Sequence, residues 1–311
     1  MDFSKSINQF EYILTEGSII ERLRRESEFP LDPHIANSGF LYEPKRSTVL
    51  TALYRQYIDI GKDSDLPILI FTPTWRANPV RLIRSGLEDI DVNGDAVRYL
   101  VKIRESYGTF ARKILIGGLM GCAGDAYRPE ESMGTEEAAQ FHQVQAHALA
   151  DAGVDFLFAS TLPARPEAVG IARALATTGA PYILSFIIRP EGTLLDGTPL
   201  KIVVNEIDDQ VHPKPLGYMI NCVHPVVMMK ALENTANIPN EIHSRILGLQ
   251  ANTSSKRPEE LDESPTLDTT EPQIFAEEMN VLRRNYGFKI FGGCCGTNHR
   301  HIKAIAVRLT Q

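Results

Sequence analysis

No run of apolar residues in this sequence approaches the roughly 20 needed to cross a bilayer. The opening residues, 1–6, also lack the apolar stretch of a secretory signal. The protein is therefore expected in the cytoplasm, away from membranes. Basic residues are not in excess: 32 Lys and Arg stand against 39 Asp and Glu, for a formal charge of -7. Such a chain lacks the positive surface that neutralises a phosphate backbone, so nucleic acid is excluded as an expected partner. Cysteine is scarce, with four residues at Cys122, Cys222, Cys294 and Cys295. Two of them are adjacent, which suits a disulfide framework badly and metal or redox chemistry better. What remains is an ordinary globular composition, 43% hydrophobic and 23% charged. No low-complexity tract or linker divides it, so one domain over 1–311 is expected.

Short apolar runs rich in β-branched residues recur at 12–17, 68–75, 114–121, 155–161, 182–188, 218–225, 245–252 and 289–296. Segments with helical spacing lie between them. The stretch 135–153 has a Thr start, an acidic first turn and a terminal Gly; 165–179 and 273–287 end on Gly in the same way. Helices are also expected at 45–60, at 199–210 behind Pro199, and at 298–309. Eight strand–helix units predict an α/β fold of the (β/α)8 TIM-barrel type, with a doubly wound open sheet as the structural rival. Two segments break the alternation, one at 18–44 and one at 253–272. In a barrel both would lie at the mouth where the strands end, as active-site loops. For the acidic, proline-bearing 253–272, a solvated surface loop and a lid are both consistent with composition.

The sharpest feature is Phe291-Gly292-Gly293-Cys294-Cys295-Gly296-Thr297 at the end of the eighth run. Neighbouring side chains on a regular strand point to opposite faces, so two adjacent cysteines can share a metal only where the backbone leaves the pleat. The flanking glycines supply that freedom. Cys222, in Asn221-Cys222-Val223-His224, ends the sixth run and can reach the same mouth. Three thiolates with one open position describe a Zn2+ site that accepts a further ligand. A thiol in that position is held as thiolate and stays nucleophilic, so the metal activates a substrate rather than water. Each residue also has a plainer reading. Cys222 alone reads as a small buried hydrophobe, and the vicinal pair as redox-active or packed by chance. His224 shares the strand face of Cys222 and is an alternative ligand, although packing or hydrogen bonding beside the site is preferred. Cys122 follows the third run and is read as structural.

These motifs resemble the homocysteine S-methyltransferase family. Asn221-Cys222 and the GGCCGT of 292–297 are similar to that family's two zinc-binding motifs. The likeness extends to Thr15-Glu16-Gly17, to Thr72-Pro73-Thr74-Trp75-Arg76-Ala77-Asn78, and to the Ala-Asp-Ala-Gly-Val-Asp entry of the fourth run at 150–155. The resemblance implies a zinc-dependent (β/α)8 barrel that methylates homocysteine, in methionine biosynthesis, with Cys222, Cys294 and Cys295 as zinc ligands. It also implies substrate contacts at Glu16, Gly17, Ser160, Thr161, Asn221 and Gly293. Two positions depart from the family pattern. Glu16-Gly17-Ser18 stands for Asp-Gly-Gly, and Ser160 stands where the family has Glu. In the family those two carboxylates help to bind the amino group of homocysteine. Ser160 carries no charge, so either Glu16 and nearby backbone hold homocysteine or the acceptor is a related thiol. Family donors are S-methylmethionine, S-adenosylmethionine, betaine or methylated cofactors on other domains. With no cobalamin or folate domain in the sequence, S-methylmethionine or S-adenosylmethionine is expected, and a separate corrinoid protein is the alternative. A zinc- or thiol-binding relative without catalysis is the rival reading from another class; a redox protein with a Cys294–Cys295 disulfide ranks last.

Overall fold

A computed structural model describes residues 3–256, 260 and 267–311. Eight strands, β1 (Ile13–Thr15), β2 (Ile68–Phe71), β3 (Ile114–Met120), β4 (Phe156–Leu162), β5 (Tyr182–Phe186), β6 (Gly217–Val223), β7 (Ile246–Ala251) and β8 (Ile290–Gly293), follow one another in order. Every neighbouring pair is parallel, and β8 returns to β1 through Ile13↔Ile290 and Leu14↔Phe291. The sheet is therefore closed and the open-sheet rival is excluded: this is a (β/α)8 barrel.

The period-2 alternation of the strands sorts their side chains into two layers. Ile13, Leu69, Phe71, Leu115, Phe156, Phe158, Ile183, Met219 and Ile290 fill the barrel interior. Leu14, Ile68, Ile70, Ile116, Leu184, Ile220 and Leu249 face the surrounding helices. The N-terminal helix Phe3–Gln9 adds a plug that the sequence pattern did not predict: the Phe3 ring stacks on Phe156 at 3.9 Å, at the end where β4 begins.

The expected helices are present as Pro44–Asp63, Thr135–Asp151, Arg165–Ala176, Leu200–Gln210, Pro272–Tyr286 and His299–Leu309. Asn298 caps the last of these in a reciprocal capping box with His301. The segment 18–44 is only partly a loop, since it holds the helix Ile20–Glu26 and the 3-10 turn Ser38–Tyr42. Of the expected loop 253–272, residues 257–259 and 261–266 lie outside the described residues. Among the described residues, no helix is long and apolar enough to cross a membrane.

Candidate metal and substrate site

Several strands end sooner than the apolar runs suggest, and this matters most at β8. The strand stops at Gly293, so Cys294 and Cys295 lie in the turn that follows it. The pleat that would have sent their side chains apart no longer applies there. Cys294 N–H still donates to the Ala251 carbonyl of β7 at 2.7 Å, and its own carbonyl accepts from Thr297 Oγ1 at 2.6 Å. Gly296 closes the turn at φ +81, and a Cβ there would fall 1.8 Å from Thr253 Oγ1. Only glycine meets both conditions without strain.

Cys222 reaches the mouth by a different route. Along β6, Tyr218 and Ile220 face the helices and Met219 faces the interior, so an unbroken pleat would turn residue 222 outward. Instead the β6–β7 register shifts between Asn221 and Val223, and Cys222 takes φ +57, a left-handed value uncommon outside glycine. Two amide side chains hold this bulge. Asn252 Nδ2 donates to the Cys222 carbonyl at 3.0 Å, and Asn221 Nδ2 lies 3.4 Å from the Cys222 sulfur. Asn252 and Thr253 bridge the two cysteine segments, since Thr253 N–H donates to the Cys295 carbonyl at 3.2 Å.

The sulfurs of Cys222, Cys294 and Cys295 lie within 4.8 Å of one another. Sulfurs bonded at about 2.3 Å to one tetrahedral zinc stand about 3.8 Å apart, so the donor set and its spacing fit zinc. Cys222 is buried, whereas Cys294 and Cys295 are partly exposed, which leaves one side of the cluster accessible. The Cys294 and Cys295 thiols donate towards the Cys222 sulfur and hold it well below the ordinary thiol range, against the effect of burial. The bond to Cys222 pushes Cys294 well above that range and, together with burial, Cys295 up to about 12.

Two neighbours of the cluster carry no signal in the linear sequence. Tyr127, between β3 and the helix Thr135–Asp151, hydrogen-bonds the Cys222 sulfur; the charge on that sulfur, followed by burial, pushes its phenol well above the ordinary range. The phenol therefore keeps its proton and donates. Glu21, from the helix Ile20–Glu26, accepts from Gly296 N–H and lies beside Cys295. Both come from segments far from the cysteines in the chain, and only the closed barrel brings them in.

The other candidate residues surround this mouth. Glu16, 7% exposed, accepts from Phe71 N–H at 3.0 Å, and burial raises its carboxyl well above the usual range. Gly17 packs against Thr297 and Tyr57, and Gly293 against Thr297. Ser160 and Thr161 sit at the irregular end of β4, their hydroxyls 3.1 Å apart, with Thr161 at φ +61. Asn221 binds Thr161 through both ends of its amide and accepts from Ser185 Oγ at 2.7 Å. His224 is not among the clustered ligand atoms. Its Nδ1 caps Val226 N–H at 3.3 Å, and its Nε2 faces Thr270 and Glu278. Cys122 is buried apart from the three-sulfur group, its thiol pushed up to about 12 by burial and by Glu167.

Comparison with known proteins follows the same outline. The family model described as Homocysteine S-methyltransferase matches residues 13–309. The homocysteine S-methyltransferase of Escherichia coli (strain K12) is 29% identical over 76% of this chain and 78% of its own length. Betaine–homocysteine S-methyltransferase 1 of Bos taurus is 26% identical over 97% of this chain and 73% of its own. The crystal structure of the homocysteine methyltransferase MmuM from Escherichia coli, in its metallated form, shares the fold with a TM-score of 0.77, covering 99% of this chain and 100% of that one at 22% identity. With a family match spanning nearly its whole length, the chain belongs to the homocysteine S-methyltransferase family and is a thiol methyltransferase.

Proposed function

We propose that this enzyme is a zinc-dependent S-methyltransferase in which Cys222, Cys294 and Cys295 hold Zn2+ beside the acceptor thiol, homocysteine or a related thiol. The observation that carries this reading is the approach of three sulfurs, from the ends of β6 and β8, to within 4.8 Å. Bound there, zinc supplies a charge that keeps an acceptor thiol deprotonated near neutral pH while an all-sulfur ligand set leaves it nucleophilic.

The chain's own residues orient and shield. Asn221 and Tyr127 both donate towards the Cys222 sulfur, spreading its negative charge over two hydrogen bonds. Glu16, Gly17, Ser160, Thr161, Asn221 and Gly293 line the acceptor's place at the mouth. Methyl transfer needs the acceptor sulfur aligned with the bond between the methyl and its leaving group, so positioning is the protein's main contribution. No general base is assigned. The acceptor's ammonium would meet one carboxyl here, Glu16, because Ser160 has no charge to offer. The donor is taken to be a small molecule, S-methylmethionine or S-adenosylmethionine, with a separate corrinoid protein as the other source. The partly helical segment 18–44 and the described residues 253–256 and 267–272 serve the single barrel domain as active-site segments. A cluster of three reduced thiols suits a reducing compartment, which supports a cytoplasmic location.

Metal analysis of the purified protein and its four Cys→Ser variants tests the ligand assignment. About one zinc per chain is expected, lost in Cys222→Ser, Cys294→Ser and Cys295→Ser but kept in Cys122→Ser. Full zinc in any of the first three would remove that residue from the site. Methyl transfer to a panel of thiols then identifies the acceptor, and robust turnover of homocysteine would defeat the altered-acceptor reading.

A further inference from the structure

Beyond β2 the chain runs through Thr72, Pro73 and Thr74 to Trp75 and Arg76, which follow the C-terminal end of that strand. The Trp75 indole Nε1 lies 3.5 Å from the Ser160 carbonyl near the end of β4. The same ring rests on Gly121, just past β3, where a Cβ would fall 2.6 Å from Nε1. The indole thus touches the ends of two neighbouring strands. Arg76 lies over that ring, its guanidinium carbon 5.0 Å from the centroid. Stacking of this kind holds a guanidinium plane in place while leaving its in-plane donors free.

No hydrogen bond or ion pair engages Arg76 among the described residues. Its cationic neighbour Arg81 spends its Nη donors on the carbonyls of His34, Ala123 and Gly124, and its Nε is buried without a partner. The charge of Arg76 reaches both Arg81 and Cys122. A half-buried guanidinium, fixed on an aromatic shelf beside a second one and lacking an acceptor, is built to receive an anion. At Ser160, on the same shelf, a hydroxyl stands at the mouth with no charge of its own.

We propose that Arg76, stacked on Trp75, binds a carboxylate of the substrate, carried by either the thiol acceptor or the methyl donor. This rests on the thiol-methylation reading above and adds the group that orients one of its two substrates. Arg76 is thereby a specificity residue: it selects the acid-bearing form of a thiol or sulfonium over the same molecule without the acid.

The test measures equilibrium binding to the zinc-loaded full chain, as wild type, Arg76→Gln and Arg76→Lys. The acceptor arm compares homocysteine with 3-aminopropane-1-thiol, which lacks the carboxylate. The donor arm compares S-methylmethionine with its decarboxylated sulfonium counterpart. In one arm, Arg76→Gln is expected to weaken the carboxylate probe by roughly ten-fold or more while leaving its counterpart within about two-fold. Arg76→Lys recovers part of the loss. The arm that responds identifies the source of the carboxylate. Equal losses for both members of each pair, no loss in either arm, or a wild type that binds neither carboxylate probe would each overturn the proposal. Zinc content measured on the same samples separates this from failure of the metal reading, because the donor arm does not require the three sulfurs to hold a metal.

Discussion

Asn221 grips Thr161 across the barrel mouth at two points: Thr161 N–H donates to Asn221 Oδ1 at 3.0 Å, and Asn221 Nδ2 donates to Thr161 Oγ1 at 2.7 Å. Both ends of this clamp border a residue with positive φ, Thr161 itself at +61 and Cys222 at +57. The amide therefore ties the irregular end of β4 to the bulge that presents a sulfur. Asn221→Ala leaves a buried N–H and the Ser185 hydroxyl without their shared acceptor. A loss of about 2–3 kcal/mol in stability is expected, read by urea unfolding of the metal-free protein, together with weaker zinc binding. A variant within about 0.5 kcal/mol of wild type would show that the clamp is incidental.

Gly296→Ala is expected to damage the cysteine turn. A left-handed alanine costs about 1–2 kcal/mol, and its Cβ would drive into Thr253 Oγ1. Zinc content should fall well below that of wild type. Gly134→Ala is the control, since that residue has φ -64 and open space around its Cβ. Equal zinc in the two variants would refute the steric argument.

Glu16 predicts a pH dependence. Burial raises its carboxyl well above the ordinary value of 4.5, so the folded chain holds this proton more tightly than the unfolded one. The contribution to stability is complete below the unfolded value and is lost as pH rises through the interval up to the raised folded value. Glutamine keeps an oxygen to accept from Phe71 N–H and has no proton to lose. Glu16→Gln should therefore melt above wild type at pH 8, with the difference closing towards pH 4. Parallel melting curves across that range would count against a raised carboxyl.

Tyr127→Phe removes one hydrogen bond from the Cys222 sulfur and leaves the ring that packs beside it. Zinc is expected to remain near that of wild type. The sulfur-to-metal absorption bands of the cobalt-substituted protein should shift, because one donor sulfur becomes more electron-rich. An unchanged spectrum would place the phenol away from the metal centre.

The periodic parts of this architecture could be read directly from the residues. Runs such as ILIF at 68–71 and FLFASTL at 156–162 are rich in residues that fill a pleated, buried surface. The runs overshot where β-branched threonines serve another purpose. Thr72 and Thr74 leave the sheet and bond each other through their hydroxyls at 2.7 Å, and Thr74 then donates to the Leu119 carbonyl. The three cysteines were recognisable from their motif, whereas the left-handed turn of Cys222 was not, because a non-glycine residue gives no local sign of positive φ. Glu21 and Tyr127 were equally silent. Their roles arise from closure of the sheet, which sets residues far apart in the chain side by side.

The seam between β1 and β8 also has a consequence for how the protein is made. Both partners of the first strand, β2 and β8, are made after it, and the later of the two immediately precedes Cys294 and Cys295. Seventy-two residues separate Cys222 from Cys294 (294 − 222). At a synthesis rate of about 5–20 residues per second, Cys222 waits roughly 4–14 s for its companions. The three-sulfur centre is thus a late product of translation, and until it forms, the growing chain exposes an unpaired strand edge beside a solitary thiol.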